Sequence, residues 1–141
     1  MHQINRDDIK KFIFSLRNPD GGFYLQKNFN QSTLMSSAFS IIVLELINSK
    51  DLLDCSTEGD YFLKNQDEKT GLFVDSYLNL ENEKIENIEL NYIHYQTTAF
   101  SLSALDALGL QPKYNLRFMD AFRGKERISK FFENINWKNP W

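Results

Sequence analysis

The chain has 141 residues and a formal net charge of -3, so it can form one domain with a sizeable core but lacks the basic surplus a nucleic-acid partner requires. Its one cysteine, Cys55, excludes an internal disulfide and fits a reducing compartment. Twelve Phe, six Tyr and two Trp point to a thick core or an aromatic-lined groove, because each such side chain buries a large area. The N-terminal MHQINRDDIKK lacks the apolar stretch of a signal peptide. The longest apolar run, AFSIIVLELI, is too short to span a bilayer and contains Glu45. These features predict a cytoplasmic protein with no membrane span and no nucleic-acid partner.

The first element is a helix. Ile9, Phe12, Ile13 and Leu16 recur at i, i+3, i+4 and i+7, the stripe of an amphipathic helix. Asn5 is placed to cap it, and Asp7 and Asp8 favour its positive end. Pro19 stops it, since the residue before a proline avoids the α region, and Asp20-Gly21-Gly22 supplies a tight reversal. The next helix is predicted from residue 32 to about residue 53. Leu34, Met35, Ala38, Phe39 and the run Ile41, Ile42, Val43, Leu44 make it apolar on nearly every side, hence buried on most faces.

The pattern then recurs. YFLKNQDEKTGLF (61–73) echoes FSLRNPDGGF (14–23), and TTAFSLSALDALG (97–109) echoes SSAFSIIVLELIN (36–48). Ala38 pairs with Ala99 and Phe39 with Phe100, both 61 residues apart, whereas Phe23 and Phe73 are 50 apart; the difference of 11 places an insertion at residues 77–90. That insertion carries Glu81, Glu83, Glu86 and Glu89, read as a solvated acidic run. Gly109 and Pro112 end the second long helix. ERISKFFENINWKNPW then repeats the first helix and turn. The expected fold class is all-α: stacked helical hairpins in one domain, 1–141, with repeats at 5–54 and 56–110 and a partial repeat at 113–141, about two and a half in all.

The segments LRNPDGGF with STLMSSAFSIIVLELI, and KNQDEKTGLF with YQTTAFSLSALDALG, resemble the repeats of the terpenoid cyclase and protein prenyltransferase superfamily. The resemblance implies part of an α/α toroid, amphipathic helices outside and apolar helices around a cavity that holds an isoprenoid-like or other apolar substrate. The superfamily's acidic Asp-x-Asp-Asp cluster is absent here, and Thr97 stands where a zinc-binding histidine would open the inner helix. Asp54, Cys55 and His94 lack zinc-ligand spacing, so no metal and no cofactor are expected.

No G-x-S-x-G, P-loop or G-x-G-x-x-G motif occurs, and no catalytic residue can be named. The candidate site is positional. Ser32, Thr33, Ser36 and Ser37 lie at one inner-helix start, and His94, Tyr95, Gln96, Thr97 and Thr98 at the other. Helix starts offer unpaired N–H donors to an anion such as a diphosphate, although helix capping, the favoured reading, explains some of these hydroxyls with no ligand at all. Tyr24, Phe39, Tyr95 and Phe100 are the candidate wall of an apolar cavity. Two functions stay open: an enzyme-derived module binding an apolar ligand, and a non-catalytic interaction or structural module. Short of its later hairpins, the array should leave apolar helix faces, with Trp137 and Trp141, at a surface. The expected partner is a second copy, a longer chain or another protein that completes the toroid.

Overall fold

The computed structural model describes residues 5–75 and 92–133. Helix α1 (Arg6–Phe14) starts where Asn5 predicts, the Asp7 N–H donating to Asn5 Oδ1 at 3.2 Å. Its stripe buries Ile13, with Leu16 just beyond its end, and leaves Phe12 exposed. The chain then reverses through residues 18–22. The Asn18 N–H donates to the Gly22 carbonyl (2.9 Å), the Gly22 N–H to Asp20 Oδ1 (2.8 Å), and Gly21 takes φ 89°, open to glycine at little cost. Two short strands follow, β1 (Phe23–Tyr24) and β2 (Ser32–Thr33), antiparallel with Phe23 opposite Thr33. Thr33 caps helix α2 (Leu34–Leu46), and Asp54 caps α3 (Cys55–Lys64). Helices α4 (Tyr92–Ala107) and α5 (Lys125–Glu133) complete the set, with 3-10 turns at Lys50–Leu52 and Arg117–Phe122.

An all-α array of stacked hairpins is not what forms. The segment before α2 is extended, because the aromatic pair Phe23-Tyr24 favours strand and a helix cap requires non-helical backbone at Thr33. Nor is α1 against α2 the main packing; α2 packs chiefly on α4. Helix α2 is also shorter than the predicted 32–53. Asn48 turns to φ 54°, the Ser49 N–H returns to the Leu44 carbonyl and the Asn48 N–H to that of Glu45, a Schellman ending. Helix α4 ends the same way, with Gly109 at φ 73° and the Leu110 N–H on Leu105. The insertion at 77–90 with its four glutamates, and Trp137 and Trp141, lie outside the described residues.

The helix–turn segments of the two halves superpose in a register set by hydrogen bonds. Tyr24 N–H to Leu16 carbonyl matches Val74 N–H to Asn65 carbonyl, and the bridge Arg17–Phe23 matches Gln66–Phe73. Asn5 therefore corresponds to Asp54, Phe12 to Tyr61 and Arg17 to Gln66, two residues off the basic-Asn match that the sequences suggest. Each turn also rests on the segment that follows it. Gly21 lies on the Thr57 carbonyl and Gly71 on that of Asn115, both too close to admit a Cβ. The core lies between these layers, with Phe23, Phe62, Phe73, Leu34, Ile41, Leu44 and Leu105 at most 1% exposed. No helix among the described residues is long and apolar enough to cross a membrane.

Candidate functional site

The hydroxyls of Ser36, Ser37 and Thr98 are engaged with the backbone and that of Ser32 with Asp20, and residues 94–98 lie inside α4, which begins at Tyr92, not at its start. The Phe23 N–H donates to Ser37 Oγ (2.8 Å), which donates to the Thr33 carbonyl (2.7 Å). Ser36 Oγ donates to the Phe23 carbonyl (2.6 Å), and the Ser36 N–H to Thr33 Oγ1 (3.0 Å). In the second half the Phe73 N–H donates to Thr98 Oγ1 (2.9 Å), the counterpart of Ser37. Phe23 and Phe73, which follow the two turns, are thus each pinned by a buried hydroxyl of the helix behind them. The start of α2 already holds an anion: Asp75 Oδ1 accepts the Leu34 N–H at 2.6 Å, using a donor that a diphosphate would need.

Of the residues expected at the site, Ser32, Thr33, Ser36, Ser37, His94, Thr97 and Thr98 are buried, and Tyr24, Tyr95, Gln96 and Phe100 half-buried. Burial pushes the Tyr95 phenol up from its ordinary value. The Tyr24 hydroxyl donates to Asn18 Oδ1. Asp54, Cys55 and His94 are not brought together. Cys55 is exposed, and Asp54 caps α3, where the Thr57 hydroxyl above all holds its carboxyl below the usual range. Among the described residues no three His, Cys, Asp or Glu side chains are placed to hold a metal ion. An open groove of about 670 Å³, lined by Tyr114, Leu116, Arg117, Met119 and Arg123 among others, contains none of the expected residues.

Of the expected apolar wall, the part that stays accessible lies on the outer face of α2 where it meets α4. Helix α2 turns small side chains inward (Ser36, Ser37, Ala38, Ser40) and leaves Phe39 46% and Leu46 75% exposed, with Met35, Ile42 and Val43 half-buried. Met35, Phe39, Ile42 and Leu46 stand at i, i+4, i+7 and i+11, one stripe of the helix. Phe39 meets Phe100 of α4, ring centroids 4.6 Å apart and planes tilted by 49°. The stripe is flanked by Glu45, which Lys50 Nζ neutralises at 3.0 Å while also donating to the Ala107 carbonyl at 2.9 Å.

Sequence reasoning passed over four residues that organise this arrangement: Asp75 at the α2 start, Arg17 and Glu58, and Gln66. The Arg17 guanidinium pairs with Glu58, whose carboxylate is fully buried on α3. Burial pushes that carboxyl up, against the opposing pull of Arg17. Gln66 clasps Tyr114, donating Nε2 to its carbonyl (2.8 Å) and accepting its N–H on Oε1 (2.9 Å). Arg17 and Gln66 lie in the recurring helix–turn segments, but their partners are distant in sequence, and Asp75 and Glu58 belong to no motif, so the chain did not mark their roles. Family models, curated proteins and solved structures return no match to this chain.

Proposed function

We propose that the chain is a non-catalytic interaction module whose contact face is the outer surface of α2 and α4, and that its partner there is a second copy of itself. The carrying observation is the exposed stripe of α2, with Phe39 stacked on Phe100 and Leu46 three-quarters exposed on a helix whose small residues point inward. Two features favour a like partner. The flanking Glu45–Lys50 pair adds no net charge beside the α2 stripe, so two such stripes can approach without repulsion between these pairs. A stripe about 20 Å long across two helices offers on the order of 400 Å² per copy, below the roughly 800 Å² of tight complexes. A weak, micromolar dimer fits that area. This reading is preferred to an apolar or isoprenoid-like ligand because the hydroxyls of Ser32, Thr33, Ser36, Ser37 and Thr98 are engaged within the fold and Asp75 sits at the α2 start.

Light scattering across micromolar concentrations tests it. The expected result is a concentration-dependent dimer that becomes a monomer in Phe39→Ser/Leu46→Ser, with an unchanged circular dichroism spectrum. A wild-type monomer throughout, or a dimer indifferent to both changes, overturns the reading.

A further inference from the structure

The surface that α3 presents to the turn before it has a counterpart on α1, and there Phe12, the counterpart of the covered Tyr61, is exposed. With Asn5 and Asp54 in register, Phe12 stands where Tyr61 does, Ile9 where Glu58 does and Asp8 where Thr57 does. Tyr61 is 4% exposed because the turn lies on it: a Cβ on Gly22 would come within 2.7 Å of the ring's Cζ. Gly21 rests on the Thr57 carbonyl, Lys64 Nζ donates to the Asp20 carbonyl at 3.3 Å, and Arg17 closes onto Glu58. Phe12 is 57% exposed, while Ile9 is half-buried with its inner side against the core, so only its outer side is open to an occupant.

We propose that this face of α1 is a docking seat for an Asp-Gly-Gly-type turn of another protein, one with an apolar side chain where this chain's own turn carries Arg17. The shape of the occupant follows from α3, where glycines alone allow the backbone to lie on the ring and the carbonyl. Its chemistry follows from the change between the two seats, Ile9 in place of Glu58. A guanidinium laid on Ile9 loses water and gains no buried carboxylate, while an aliphatic side chain gains burial. Neighbouring Asp8 is exposed, where an ion pair contributes little. The change also discourages copies of this chain from stacking head to tail into an open filament, since the turn they bring carries Arg17.

The test titrates the isotopically labelled full chain with three cyclic peptides, followed by NMR. One is the turn LRNPDGGF, one its Arg17→Leu form, and one that form with Gly21→Ala and Gly22→Ala. The Arg17→Leu peptide should give saturable shifts confined to α1, about tenfold tighter than the parent turn. The alanine peptide should give none, and Phe12→Ala, at an exposed position, should abolish the response while leaving the rest of the spectrum in place. Equal or tighter binding by the parent turn makes a second copy the occupant and overturns the proposal. So does saturation away from α1, survival of binding in Phe12→Ala, or no saturation with any peptide up to millimolar concentration.

Discussion

Glu58 is ionisable, has no exposed surface and faces the guanidinium of Arg17. Because burial raises its folded-state pKa above the ordinary 4.5, the native state holds the proton more tightly than the unfolded chain does. Its contribution to stability is therefore fully present below about pH 4.5 and is lost as pH rises through the folded value. Urea unfolding of Glu58→Gln should show a flatter dependence on pH in this window than wild type, with stability at pH 7 equal or higher. Arg17→Ala should cost about 2 kcal/mol at pH 7, because it strands a buried carboxylate, and progressively less as pH falls and that carboxylate protonates. Two glycines with similar φ, 89° and 73°, make a second contrast. Gly21→Ala forces a Cβ into the Thr57 carbonyl and should cost well over 2 kcal/mol, whereas Gly109→Ala meets nothing within 4 Å and should cost about 1 kcal/mol of backbone strain. Denaturation midpoints separate the two.

Elements are joined here by hydroxyls as much as by apolar contact. Ser37→Ala and Thr98→Val each orphan a buried N–H, of Phe23 and Phe73, and each should cost about 1–3 kcal/mol in equilibrium unfolding. Ser37 also donates to the Thr33 carbonyl, so its loss should be the larger of the two. Helix ends follow local rules more faithfully than helix faces do. Asn5 and the Asp20-Gly21-Gly22 reversal could be read from the chain, and Asn48 could have been, since asparagine tolerates the left-handed conformation of a Schellman ending. The inward and outward sides of α2 could not. With apolar residues at nearly every position, its periodicity does not say which large side chains face water.

Across the whole molecule, each turn is fastened to the segment after it, by Arg17 onto Glu58 in one place and by Gln66 onto Tyr114 in the other. Gln66→Ala removes three contacts at once, counting Nε2 to the Gly71 carbonyl, and leaves backbone groups of Tyr114 unpaired. Hydrogen exchange should then quicken over residues 113–133 and stay unchanged over α1 and α2, because the lost bonds join only the later segments. A uniform loss of protection would mean that the molecule opens as one unit.

The sequence by itself determined what depends on near neighbours: the capped start of the first helix, the glycine reversal, and the echo of Ala38-Phe39 in Ala99-Phe100; the stop expected at Pro19 comes earlier, at Phe14, where the C-cap Ser15 closes the last turn. Spacing and cap chemistry act within a few residues, so they are visible along the chain. Tertiary structure alone decided that a strand pair enters between α1 and α2, that α2 packs on α4, and that the hydroxyls of Ser36 and Ser37 bond to the backbone of residues 23 and 33. It also brought Asp75 to a helix start 41 residues away and Arg17 to Glu58. The reason is physical: a hydroxyl or carboxylate has the same inventory of bonds wherever it stands, and only the approach of distant backbone decides which of them it makes.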